Sequence, residues 1–372
     1  MPGPFFFQEF DPMRFSFAGL ALAALMLAVA PHARAAEPML VVHDNDFIGP
    51  GGPDIQPVVM LIGNPAVRVL GFTVVSGDGW RDEETAHLLR FLEIARRTDL
   101  PVVNGAVFPL VNSAERMRAW EQAYGKIPWK GAWNDPKPGE NFHPNEPYLV
   151  PDNPSGNPTT KPAPGTAADF LIRQVREYPH QVTILATGPL TNLALAIRLD
   201  PEFAGLAKEL VFMGGLIGNN PQQVTGDADF NSDFNILFDP EAAHIVLTAP
   251  WAHITSLGTV TNQTMMSPDL IERMASVKTP VTEFLAKYTI KLPLWDEMAA
   301  AVAVDRSLVT SQIEAYMDVD LEHGMHYGQV HVWPEAITPH QGERKVTIVE
   351  GVDLDRFYDQ FLKAAQFPVK GN

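Results

Sequence analysis

Cysteine is absent from the 372-residue chain, so the fold needs no disulfide and offers no thiolate to a soft metal. Basic residues are scarce, 27 Lys and Arg against 44 Asp and Glu, giving a formal charge of −17. That balance excludes the basic footprint required by a nucleic-acid backbone or an anionic lipid surface. Small nucleic-acid components stay open as ligands. Beyond the N-terminus no apolar run is long enough to span a bilayer. The short "GPGG" at 49–52 lacks the Lys of a phosphate-cradling P-loop. What the chain does have is apolar residues, 46% of the total, enough for a sizeable core rather than disorder.

Residues 1–36 read as a secretory signal. Arg14 precedes the apolar run "FSFAGLALAALMLAVA", and the small-x-small site "ARA" follows at Ala33–Ala35. The true start falls at Met13, with a long positive flank as the alternative. A retained membrane anchor is the competing reading; the short run and the cleavage site favour removal. A periplasmic or secreted chain, without a stable anchor after processing, is the expectation.

From residue 37 onward, apolar strand-like runs alternate with helical patterns. "MLVVHDND" precedes "DIQPVVMLIGN", and "VRVLGFTVVSGD" precedes "RDEETAHLLRFLEIARRT"; later "QVTILATGP" precedes "LTNLALAIRLDP". This βαβ rhythm predicts a single α/β domain over 37–372, an open, mainly parallel sheet with a Rossmann-like core and helices on both faces. Residues 131–166, dense in Pro, Asn and Gly, interrupt the rhythm as a long loop of the kind that forms lids and binding segments.

Several polar groups fall at predicted strand ends, where open α/β sheets bind ligands. Asp44 and Asp46 follow "LVV", Asp78 follows "FTVVSG", Thr187 follows "TILA", and Asp296 opens a late helix after "IKLPLW". Crowded carboxylates repel one another unless something neutralises them. With oxygen donors and no cysteine or histidine pair beside them, the neutralising ion would be hard, Ca²⁺ ahead of Mg²⁺. Capping or turn roles are the plain alternative for each acid. His43, just before the acids, reads as a packing residue at the strand end ahead of a functional one. If "LEHGMHYGQVHVW" is one unbroken strand, His323 and His331 share a face and His326 points the other way.

"HDND" with its Gly-rich turn, "LGFTVVSGD", "TILATGPLTNLALAIRLDP", "LVFMGG", "DFNILFDPEAAHIV" and "WDEMAAAVAVD" occur in this order. Together they resemble the nucleoside hydrolases, calcium-dependent N-ribohydrolases, from Met39 to the terminal helix. The resemblance implies that Asp46, Asp54, the carbonyl of Thr187 and Asp296 hold Ca²⁺, with Asp44 as an outer acid that orients them. Asp46 would take the proton of the attacking water. Asn219, Asn220, Asp233 and Asn235 would hydrogen-bond the ribose, Asp233 standing in "DFN" where the family commonly has "EFN". Asn219 and Asn220 could also form a plain turn.

Trp295, just before the late aspartate, resembles the purine-preferring branch, in which tryptophans sandwich the base; Trp120 is its implied partner and Trp80 the competitor. Asp78 matches an acid near the leaving group and could act as general acid. The loop departs from the family pattern. It is lengthened to "FIGPGGP", and Pro53 replaces the first acid of a double aspartate, so one ribose contact is missing or supplied from elsewhere.

The implied function is an exported, Ca²⁺-dependent hydrolase that cleaves purine ribonucleosides to base and ribose, assembled by analogy as a homo-oligomer. An exported nucleoside-binding protein that does not cut its ligand is the alternative, favoured by Pro53. A D-x-D phosphohydrolase is a third possibility, opposed by "TGPLTN".

Overall fold

The computed structural model describes residues 37–136, 142–218 and 233–369. Nine strands form one sheet in the order β3-β2-β1-β4-β5-β6-β9-β7-β8. They are β1 (Met39–Asn45), β2 (Val67–Val74), β3 (Val102–Asn104), β4 (Val182–Ala186), β5 (Glu209–Met213), β6 (Ile254–Leu257), β7 (Val309–Val319), β8 (Val330–Trp333) and β9 (Arg344–Val352). The seven strands from β3 to β9 pair in parallel. β7 runs antiparallel between β9 and β8. The expected open, mainly parallel sheet is therefore present, and its order reverses between β1 and β4.

β1 shows why the strands read as apolar runs. Leu40 and Val42 pack with Phe170, Leu171 and Ala194 on one face. Val41 packs with Val58, Leu61 and Met298 on the other. Helices cover both faces, so the period-2 alternation of side chains leaves no solvent side. Each fully buried Val, Leu or Phe contributes on the order of 1.5–3 kcal/mol. At the C-terminal end the same alternation distributes polar groups: Asp44 falls on the face of Leu40 and Val42, His43 and Asn45 on the face of Val41.

The helices follow the sequence pattern closely. "RDEETAHLLRFLEI" forms Arg81–Ile94, and "AADFLIRQVRE" forms Ala167–Glu177 with Thr166 accepting from the Asp169 amide at its start. Asp239 caps Pro240–Leu247, whose first residue is proline, a residue whose missing N–H costs nothing there.

One expectation changes. The segment 320–329 is a turn between β7 and β8, which places His323 and His326 outside any strand; only His331 lies in one. Turn-forming Gly324 and Gly328, the latter at φ 80°, break the extended run. The described part of the long loop, residues 142–166, is fastened along Arg81–Ile94. Glu93 accepts from Thr159 and Thr160, Arg90 donates to the Ser155 carbonyl, and the Asn153 amide lies 3.1 Å from His87.

Candidate active site

The strand order reverses between β1 and β4, and this is where a doubly wound sheet opens a crevice beyond its carboxyl ends. A cavity of about 380 Å³ lies there, lined by Asp46, Asp54, Asp78, Thr187, Asp233, Asn235 and Asp296 among its polar residues. Asp46 leaves the end of β1, and two glycines make room for it. A Cβ on Gly77, beyond β2, would sit 2.1 Å from Asp46 Oδ2, and one on Gly188, beyond β4, 2.6 Å from Oδ1. No side chain fits at either position. Asp46 Oδ2 accepts from the Asp78 amide at 2.8 Å, while its Oδ1 is buried without a hydrogen-bond partner.

Burial, reinforced by the Asp78 charge, pushes the Asp46 carboxyl well above the usual carboxylate range. Asp54 is raised likewise by burial, then by Asp78, Asp46 and Asp296. Asp296 is raised by burial, then by Asp46 and Glu297. These mutual repulsions show acids from three parts of the chain sharing one small volume. Buried like charges of this kind are costly without a counter-charge. Among the described residues, no three Asp, Glu or His side chains already stand as a metal-binding cluster. Their oxygens are instead turned to separate partners, Asp46 Oδ2 to the Asp78 amide and Asp296 Oδ2 to Asn45 at 3.2 Å.

The surrounding groups divide by face of β1. Asp44 Oδ1 accepts from Thr73 Oγ1 at 2.5 Å and Asn192 Nδ2 at 2.8 Å, and burial raises its carboxyl to about 7. His43 contacts Thr187 Oγ1 at 2.9 Å; burial lowers its pKa to about 3, so it is neutral at physiological pH. The Thr187 carbonyl accepts from Asn235 Nδ2 at 2.6 Å. Asp233 is spent locally: its oxygens accept from the amides of Gly215 at 2.7 Å and Ile236 at 3.0 Å. Asn219 and Asn220 lie outside the described residues.

Aromatic residues also line the cavity. Trp120, Trp129 and Trp295 line it with Phe234 and Tyr327. Trp295 is oriented by its indole N–H, which donates to Asn262 Oδ1 at 2.7 Å, and Trp120 by its bond to the Gly324 carbonyl at 3.0 Å. Trp80 is not among the lining residues. It stands at the N-cap position of Arg81–Ile94 without a capping side-chain bond, is 3% exposed and donates to the His143 carbonyl at 3.1 Å, so it packs in a mainly aromatic cluster with Trp120, Trp133 and Phe238.

Trp129 and Asn262 carry no sequence signal of their own. Trp129 donates its indole N–H to Asp78 Oδ1, and burial raises that carboxyl to about 6 against this bond. Only Asn45 had a clue, its place inside "HDND", where alternation puts it opposite Asp44.

A family model described as inosine-uridine preferring nucleoside hydrolase matches residues 41–359. This chain belongs to that family. An uncharacterized protein of Schizosaccharomyces pombe is 30% identical over 92% of this chain and 90% of its own length. The pyrimidine-specific ribonucleoside hydrolase RihB of Escherichia coli is 27% identical over 83% of this chain and 92% of its own. A plant nucleoside hydrolase structure, PpNRh1, superposes with a TM-score of 0.69 at 24% identity, covering 89% of this chain and all of that one. This nucleoside hydrolase thus acts on the N-glycosidic bond of ribonucleosides, and the cavity beyond β1 and β4 is where its acids and aromatic groups meet.

Proposed function

We propose that this nucleoside hydrolase is an exported, Ca²⁺-dependent enzyme with a preference for purine ribonucleosides. The observation that carries the proposal is that one cavity is lined both by a group of aspartates and by several tryptophans. The described lining residues include five aspartates and no Lys, Arg or His. Such a surface disfavours a phosphate-bearing substrate and suits a neutral nucleoside.

The donor set fits a hard cation. All its side-chain ligands are carboxylates, they raise one another's proton affinity, and Asp46 Oδ1 is a buried oxygen without a partner. Asp46, Asp54, Asp296 and the Thr187 carbonyl would hold it. Bound there, Ca²⁺ would fix the ribose diol and a water and lower that water's pKa. Asp46 would take the proton from the attacking water as the water oxygen bonds to the anomeric carbon of the ribose and the bond from that carbon to the base breaks. Positive charge grows on the ribose in that step, as in glycoside hydrolysis, and the aspartates stabilise it. Asp44 holds the end of β1 through Thr73 and Asn192. Asn235 fixes the Thr187 carbonyl and lines the sugar side.

Trp295 and Trp120 offer indole surfaces to the departing base, with Trp129 beside them. Stacking on indole favours the larger π-surface of a purine. Asp78, which accepts from Trp129 and whose carboxyl burial raises to about 6, would donate a proton to the leaving base from its protonated fraction. Export rests on the N-terminal signal pattern.

The test is free-base release from inosine, guanosine, adenosine, uridine and cytidine, with and without chelator and with Ca²⁺ added back. Chelation should abolish release and Ca²⁺ restore it, with the purines turned over fastest. Undiminished turnover in chelator would rule out the metal dependence. Faster turnover of uridine than of inosine would rule out the purine preference.

A further inference from the structure

The loop between β1 and the helix Pro57–Ile62 carries Asp46 and Asp54, while Asp296 arrives from the far end of the chain. Two buried amides join these regions. Asn45, fully buried at the end of β1, donates through Nδ2 to the Asp54 carbonyl at 3.0 Å and to Asp296 Oδ2 at 3.2 Å. Gln56, 2% exposed at the other end of the loop, donates through Nε2 to the Gly51 carbonyl at 3.2 Å and to Thr289 Oγ1 at 3.1 Å. The Gly51 carbonyl also accepts from the Ile290 amide at 3.0 Å.

The backbones are in direct contact here, since a Cβ on Gly51 would lie 2.4 Å from the Tyr288 carbonyl. The segment Tyr288–Ile290 leads, within six residues, to Trp295 and Asp296. The lengthened loop is therefore pinned at both ends to the stretch that delivers the late acid.

Both amides leave their own carbonyl oxygen, Asn45 Oδ1 and Gln56 Oε1, buried without a partner. An apolar side chain of similar size would fill the same space without that cost. What distinguishes the amides is that each donates one bond within the loop and one to a segment more than 200 residues away, Asn45 to Asp296 and Gln56 to Thr289.

We propose that Asn45 and Gln56 are positioning residues that clamp the Asp46–Asp54 loop to the Asp296 segment and so set the affinity for the divalent cation without touching it. The inference rests on the Ca²⁺ reading above. Groups that orient ligands through hydrogen bonds typically change metal affinity by about 10–100-fold when removed.

Gln56→Met keeps length and bulk and removes both donated bonds; Thr289→Val removes one acceptor with little change in shape and serves if the first variant folds poorly. Ca²⁺ would be titrated calorimetrically into each purified protein without nucleoside, with thermal melting, amide exchange and base release measured alongside. The Ca²⁺ Kd should rise about tenfold in Gln56→Met and less in Thr289→Val. The double variant should be no weaker than Gln56→Met. The Ile290 amide should exchange faster, and kcat at saturating Ca²⁺ should stay near that of the parent.

A lowered melting temperature with an unchanged Kd would overturn the clamp and leave a merely structural role. A parent protein that binds no Ca²⁺ would overturn the clamp together with the metal reading. A parent that binds Ca²⁺, with weakened variants but no base release from any nucleoside, would support the clamp and sink the hydrolytic reading alone.

Discussion

Asp46 and Glu93 carry the same functional group in opposite circumstances. Glu93, near the end of Arg81–Ile94, accepts at Oε1 from the amides and hydroxyls of Thr159 and Thr160 at 2.7–3.0 Å and pairs with Arg90. Burial alone would raise its pKa, yet those four bonds hold it down at about 2. Asp46 has one bond to a backbone amide, one buried oxygen without a partner, and other acids for neighbours. A carboxylate that fastens a loop is fully satisfied. Asp46 is left short, and on the proposed reading a ligand would complete it, the surrounding fold offsetting the cost.

The sharpest way to break the comparison is Asp46→Asn. It should lower kcat for base release by about 10²–10⁴-fold, as loss of a general base does, while the melting temperature stays level or rises because a repelled charge is gone. A large fall in melting temperature would mean that Asp46 is a stabilising group after all. Trp295→Ala addresses the aromatic lining of the cavity. Stacking is worth about 1–3 kcal/mol per base, so kcat/KM for inosine should fall roughly tenfold or more, and for uridine by less. Equal losses for both would remove the size argument.

Glu93→Ala should do the reverse of Asp46→Asn, costing about 1–3 kcal/mol of stability and leaving kcat unchanged. Denaturant melts and steady-state rates on one preparation would show it. The smallest effect is in acid. The folded pKa of Glu93 lies below its ordinary value of 4.5, so its stabilisation is complete above about pH 4.5 and fades as pH falls towards 2. The gap in melting temperature between the parent and Glu93→Ala should therefore narrow from pH 5 to pH 3. A constant gap would place the loop's attachment elsewhere.

Much of the fold was legible because helices and strands leave short-range periodic marks. "QVTILATGP" and "ELVFMGG" read as strands, and β4 and β5 formed within them. "RDEETAHLLRFLEIARRT" read as a helix, and its first 14 residues, Arg81–Ile94, formed one. The histidine-bearing segment did not follow, because Gly324 and Gly328 turn the chain where alternation suggested a strand. At the site, the acids at strand ends were visible as local chemistry. Trp129 and Asn262 were not, because their roles depend on partners 51 and 33 residues away. Trp80 misled for the same reason. Its neighbour Asp78 reaches the cavity, but its indole N–H is taken by the His143 carbonyl.

By itself the amino-acid sequence determined the alternation of strand and helix, the acidic character of the strand ends and the family to which they correspond. Each of these depends on residues close together along the chain or on motifs in a set order. Only the tertiary structure decided which acids meet, which tryptophans face them and which amides hold the loops in place. Asn45 and Asp296 are 251 residues apart, and no local propensity encodes a hydrogen bond that exists only once the sheet has brought both ends of the chain to the same crevice.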